Sequence, residues 1–307
     1  MADFLIGANL PWLEYGQDFG SSAWRPRGGV ACSDRRERLR RELAAAADAG
    51  ASVVRWWLLG DGRAGLTETP SGRATRLDDR VCDDLDAALA ALREAGLRAL
   101  FVLTDFLWFA PSRVIDGVQT GGRGHLVRDP RLRSDLVECV FAPLARRYGA
   151  EDAIVGWDLC NEPEWATFAV GTLDPRRSVS RAQMRGFLRE LAAAFRAHAR
   201  QPLTVGLASA RWLPLVHGLG LDFHQVHWYD AVDSTAELAR PVAGRALGTP
   251  LLLGEFPTRG SALSPAQIVA VATRAGYSGA LAWSLLAEDH ATDGGACASL
   301  LRDCAIA

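Results

Sequence analysis

The chain contains no lysine: all 34 of its basic residues are arginine. We read this as GC-rich coding, because arginines scattered over helix faces make no stripe of the kind that tracks nucleic acid. Net charge is also scarce, since 34 basic residues against 36 acidic ones leave −2. No broad attraction to nucleic acid or to an anionic membrane follows from that balance. No apolar run approaches the roughly 20 residues of a membrane-spanning helix, although 49% of the residues are apolar. The six cysteines, at 32, 82, 139, 160, 297 and 304, include no C-x-x-C pair, and their intervals match no zinc site. Cys82, Cys139 and Cys160 lie in helical or strand patterns and read as buried free thiols; a bridge between Cys297 and Cys304 stays open. The opening residues, Met1 to Gly7, lack the basic and apolar regions of a leader and already read as a strand, so a cytoplasmic protein is expected. No linker or low-complexity tract divides the 307 residues, a length at which α/β barrels run as one domain. A single domain over 1–307 is expected.

What is present is a repeated alternation of apolar strand and amphipathic helix, which implies a parallel sheet covered by helices. Eight strands are predicted: Phe4–Asn9, Ser52–Leu59, Arg98–Asp105, Ala153–Cys160, Leu203–Ala208, Phe223–Trp228, Leu251–Glu255 and Gly279–Ser284. Several are unbroken apolar runs, as when both faces of a strand are buried. Ser33 caps a predicted helix to about Ala49, and Leu77–Ala95 shows helical spacing. Asp129-Pro130 opens a helix to about Tyr148, Ser180–Arg200 is another, and Ser264-Pro265 opens one ending near Gly276. The pairs Ala49-Gly50, Ala95-Gly96, Tyr148-Gly149 and Ala275-Gly276 place the same helix stop before strands two, three, four and eight. Eight such units make a (β/α)8 barrel. The loops after strands one, two and three (Leu10–Cys32, Gly60–Arg76 and Phe106–Arg128) are long, and in a barrel the loops following the strands build the site.

The strand ends carry the chemistry. Strand four runs Ile154-Val155-Gly156-Trp157-Asp158-Leu159-Cys160-Asn161-Glu162-Pro163. The proline stops the strand and favours an extended backbone at Glu162. Strand seven, Leu251-Leu252-Leu253-Gly254-Glu255, again ends a buried run in one glutamate. Strands four and seven face each other across a barrel mouth, and two opposed carboxylates are what glycoside hydrolysis needs.

With these motifs the chain resembles clan A of the glycoside hydrolases, nearest in style to the family 5 cellulases and mannanases. The resemblance implies Glu162 as acid/base and Glu255 as nucleophile. It implies Arg55 on strand two as support for the nucleophile, His227 and Tyr229 beside the two carboxylates, and Trp283 as the platform under the sugar. Asn161 is implied as a partner of the sugar 2-hydroxyl. Members of family 5 usually carry a histidine at the end of strand three; here Asp105 or Trp108 stands there, and His125 lies too far along the loop. The implied reaction is double displacement on a β-linked gluco- or manno-configured oligo- or polysaccharide. It requires carboxyl groups about 5–5.5 Å apart, Glu255 held ionised by Arg55 and Tyr229, and Glu162 raised by partial burial and by the charge of Glu255.

Ten tryptophans invite stacking on sugar rings. Trp12, Trp24, Trp108 and Trp165 are the subsite candidates, Trp157 reads as core, and at most one of the consecutive Trp56 and Trp57 reaches the site. Asp18 is a candidate partner for sugar hydroxyls. Asp105 is open between a sugar contact and a structural partner for an arginine, while Glu164 and Asp158 read as structural. A lone strand-end glutamate is as often a solvated cap as a catalyst; it is the pairing across the mouth that favours chemistry. The expected partner is a carbohydrate, with no nucleic acid, membrane, metal or organic cofactor. The alternatives are a non-catalytic carbohydrate-binding barrel, which would have lost one carboxylate, and a transglycosidase with the same residues. A metal-dependent hydrolase would need a His/Asp cluster at the strand ends, where only His227 stands.

Overall fold

The computed structural model describes residues 4–69 and 71–306. Eight parallel strands close into a barrel in chain order: β1 (Leu5–Asn9), β2 (Val53–Trp57), β3 (Arg98–Val102), β4 (Ile154–Asn161), β5 (Leu203–Leu207), β6 (His224–His227), β7 (Leu251–Pro257) and β8 (Gly279–Trp283). All eight expected strands are present. β8 pairs with β1, Leu5 opposite Gly279, and the sheet has no free edge.

The helices follow the expected phase, with differences that have local causes. Ser33 is not a cap: it is the first residue of the helix Ser33–Asp48, and the preceding Cys32 makes no side-chain cap. The second helix begins at Asp79 rather than Leu77, because the Asp78 carboxylate accepts from Arg80 N–H at 3.1 Å. Ser180 and Ser264 each close a capping box, with Gln183 and Gln267 reaching back to the cap. The helix opened by Asp129-Pro130 runs Pro130–Leu136, widens into a π turn at Val137–Phe141 and resumes as Ala142–Tyr148. Pro143 explains the widening, since its ring lacks an N–H and clashes with the carbonyl one turn back. A last helix, Gly294–Ile306, was not foreseen; its weakly amphipathic sequence gives little periodicity to read. Of the four expected glycine stops, Gly149 differs: it keeps a right-handed φ of −65°. A Cβ there would meet the His198 carbonyl oxygen at 2.1 Å, so glycine serves a close approach of two chain segments.

The second and third long loops also hold unforeseen antiparallel hairpins, Leu66–Glu68 with Ala74–Leu77 and Arg113–Ile115 with Val118–Thr120. His125 ties these loops together, its ring nitrogens 3.0 Å from Gly122 O and 2.7 Å from Gly72 O. Cys297 and Cys304 are both free thiols, as are the other four cysteines. No helix among the described residues is long and apolar enough to cross a membrane.

The barrel interior is layered. Val53, Leu100, Leu252 and Leu281 form an apolar plug separate from the main core between strands and helices. Two residues further along β2, on the same inward face, comes Arg55, wholly buried. Above the plug the interior is therefore polar, and there the site is built.

Candidate active site

Strict alternation would send Glu255 outward, because Leu252 already faces the interior. The β7–β8 register slips between Leu253 and Phe256, and the β6–β7 register slips at Val226/His227 so that His227 pairs with Glu255. Such bulges re-aim side chains next to functional sites. β4 carries another between Asp158 and Asn161, which turns both of those side chains inward although they are three residues apart.

Glu162 corrects the expectation of an extended backbone. Its φ and ψ are 47° and 48°, in the left-handed region. Asn161 and Glu162 are adjacent yet both aim into the mouth, which an extended chain does not allow. The left-handed turn provides it, held by Glu162 N–H donating to Gly206 O at 2.7 Å and Trp165 N–H donating to Glu162 O at 3.1 Å.

Arg55 organises the carboxylate of Glu255. One guanidinium nitrogen donates to Glu255 Oε1 at 2.6 Å and to Asn9 Oδ1 at 3.0 Å. Another donates to Asp158 Oδ2 and to Asn161 Oδ1, both at 2.8 Å. The Tyr229 hydroxyl donates to Glu255 Oε2 at 2.9 Å. On the opposite side, His227 Nδ1 lies 2.7 Å from Glu162 Oε1 and Trp165 Nε1–H donates to Glu162 Oε2 at 3.0 Å. His227 Nε2 has no hydrogen-bond partner among the described residues, so the one hydrogen-bond contact of the ring is the Nδ1 contact to Glu162.

One oxygen of Glu162, one of Glu255 and a His227 nitrogen lie within 4.8 Å of one another. Oxygens this close fit the roughly 5–5.5 Å between the carboxyl groups of a retaining pair. The same three residues form the one candidate cation group found among the described residues, yet the Arg55 guanidinium already sits on Glu255 within it.

Burial pushes Glu162 up to about 7, against the opposing pull of Arg55 and the Trp165 hydrogen bond. Burial also raises Glu255, but His227 and Arg55 oppose it, and the charge of Glu162 adds to the rise. Of the two expected causes of the rise at Glu162, burial is the one that acts there, while the repulsion between the two carboxylates raises Glu255. Burial lowers His227 to about 4, so it is neutral near pH 7. Burial drives Glu164 well above the usual carboxylate range; it accepts from Ala208 N–H beneath the loop, and Asp158 lies under Arg55, both within the scaffold.

These side chains open onto a cavity of about 400 Å³ lined by Trp12, Trp57, Asp105, Trp165 and Trp283 among others. Three expected sugar contacts serve other purposes. Trp108 is buried against Phe141. Trp24 lies on a separate surface hollow, beside Arg63. Asp18 borders the cavity, but its carboxylate takes Leu13 N–H at 2.6 Å, Glu14 N–H at 2.9 Å and Trp56 Nε1–H at 2.9 Å, which makes it the anchor of the first loop. Trp157 packs in the core on Phe101 and Phe195. Trp57 faces the site, under the guanidinium of Arg55 at 4.3 Å.

Sequence reading missed Asn9, Tyr15 and Asp289. Asn9 is a polar residue closing an apolar strand, the signal that singled out Asn161. Tyr15 lines the cavity with Arg63 stacked 4.4 Å from its ring centre. Asp289 accepts from Trp283 Nε1–H at 2.8 Å and fixes the plane of that indole; as one acidic residue in a polar loop it gave no signal.

No family model matches the chain. A mannan endo-1,4-beta-mannosidase of Mytilus edulis is 26% identical over 326 aligned positions, covering 92% of this chain and 83% of that protein. Similar solved structures include an endo-1,4-beta-mannanase from Eisenia fetida, with TM-score 0.80 and 21% identity over 97% of this chain and 90% of that one. A beta-1,4-mannanase from Aplysia kurodai gives TM-score 0.77 and 22% identity over 98% and 92% of the two chains. In its closed barrel and in the order of its strand-end residues, the chain resembles the family 5 mannanases of glycoside hydrolase clan A.

Proposed function

We propose that this protein is a retaining endo-β-mannanase acting by double displacement. The observation that carries the reading is the pair Glu162 and Glu255, close together and held in different environments at the ends of β4 and β7. Two carboxyl groups with separated environments take separate roles. Glu255, under Arg55 and Tyr229, attacks the anomeric carbon; Glu162, kept protonated by burial, protonates the departing oxygen. Water, deprotonated by Glu162, then releases the glycosyl group. The preference for mannan comes from the printed activities of the Mytilus, Eisenia and Aplysia proteins.

The test is reducing-sugar release from β-mannan and β-glucan by wild type and Glu255→Ala. Release from mannan, lost by at least about 10³-fold in the variant, is the expected result. Equal activity in both proteins removes Glu255 from the mechanism, and release from glucan alone overturns the mannan assignment. Both carboxylates are present, so a binding-only barrel is not favoured.

A further inference from the structure

We propose that Asp105 reads the sugar ring at the cleavage position, accepting a hydrogen bond from one ring hydroxyl while it holds Asn161 in place beside Glu162. The proposal rests on the mannanase reading above and names a contact within that site.

Asp105 follows β3 at the mouth and bridges in parallel to Asn161. One carboxylate oxygen accepts from Leu107 N–H at 2.8 Å. The other accepts from Asn161 Nδ2 at 2.8 Å and from Trp57 Nε1 at 3.1 Å. A carboxylate offers about four acceptor positions. Three are taken by the protein, and the residue borders the cavity, so the fourth is available to a ligand donor. All three neighbours are donors on two different oxygens. An asparagine would set its NH2 against one of them, so the position requires a carboxylate.

Among the described residues, no cation forms a salt bridge with that carboxylate. The guanidinium that could have neutralised it, Arg55, is committed to Asp158 and Glu255. A buried carboxylate left in this state is costly, and a further donor at its open position offsets that cost. Burial, with the charge of Glu162 adding to it, pushes Asp105 up to about 7; a donated hydroxyl favours its ionised form. Trp108, the other strand-three candidate, is only 1% exposed and lies in the core. Because the resemblance places the 2-hydroxyl beside Asn161, whose amide nitrogen donates to Asp105, the hydroxyl that Asp105 takes is on C2 or on its neighbour C3.

The experiment measures kcat/KM for an aryl β-mannotrioside and for its 2-deoxy and 3-deoxy analogues, altered in the ring that bears the aryl group. Each value is divided by the spontaneous hydrolysis rate of the same glycoside. Wild type and Asp105→Asn are compared, with thermal unfolding as a check on the variant. Wild type is expected to lose about 10- to 100-fold on one analogue, the range for a hydrogen bond to a charged group. Asp105→Asn is expected to lose a similar factor on the parent and little more on that analogue. Two outcomes overturn the proposal: a wild type that treats both analogues like the parent, which is readable even if the variant does not fold, or losses from variant and analogue that multiply in full. A wild type that releases no aryl group from the parent overturns the mannanase reading, and the assignment of Asp105 falls with it; the parent substrate tells the two failures apart.

Discussion

Glu162 combines two unfavourable conditions, a left-handed backbone and burial of a carboxyl group. A non-glycine residue in that region costs on the order of 1–3 kcal/mol and persists where its surroundings over-determine it. The burial makes folding depend on pH. Because the folded-state pKa of about 7 lies above the ordinary 4.5, the folded protein keeps a proton that the unfolded chain releases. Its stability therefore falls as pH rises from about 4.5 through 7. Glu162→Gln removes that dependence: the variant is expected to gain up to about 3 kcal/mol relative to wild type at pH 8 and little at pH 4. The same variant is expected to lose about 10²- to 10⁴-fold in kcat, and wild-type kcat/KM is expected to decline above about pH 7. Denaturant titrations at the two pH values and a pH–rate profile check this; a variant no more stable at pH 8 contradicts the burial argument. At this scale the sequence was legible where a polar residue interrupts an apolar strand, as at Asn161, Glu162, His227 and Glu255. It was misleading in the loops, where Asp18, Trp24 and Trp108 had the right chemistry, but partners such as Trp56 Nε1–H, Arg63 and Phe141 are set by distant parts of the fold.

Strand and helix periodicity exposed nearly every regular element of the barrel, because burial imposes a repeat of two or 3.6 on the chain. It could not expose the bulges of β4 and β7, since a one-residue slip leaves composition unchanged and alters only which face each side chain meets. Nor did it reveal the two loop hairpins, whose strands are three or four residues long. The helix stops illustrate the same limit: identical letters at Gly96 and Gly149 answer different needs. Gly96 has a φ of +71° with open space around it, whereas Gly149 is right-handed and pressed against backbone. Gly96→Asn is expected to cost less than about 1 kcal/mol, since asparagine tolerates the left-handed region. Gly149→Asn is expected to cost about 1–3 kcal/mol through forced backbone displacement. Urea titrations distinguish the two, and equal costs would refute the distinction.

The molecule as a whole is an apolar plug beneath a charged layer, and Arg55 is the cation that makes the layer tenable. It faces Asp158 and Glu255 at once and is itself wholly buried. Arg55→Met leaves two buried carboxylates without their counter-charge and is expected to destabilise the fold by about 3–5 kcal/mol. It also removes a group that holds Glu255 down, so Glu255 ionises only at higher pH and the acidic limb of kcat/KM moves upward. A thermal melt and a pH–rate profile check both effects. The plug has one more consequence. With Val53, Leu100, Leu252 and Leu281 sealing the floor, nothing passes through the barrel, and the reaction chamber opens only on its loop side. The departing sugar and the next reactant therefore share that loop-side face, with no separate channel for water through the barrel axis. Whatever alcohol stands at that face competes with water, and the traffic there decides whether a chain is cut or rejoined.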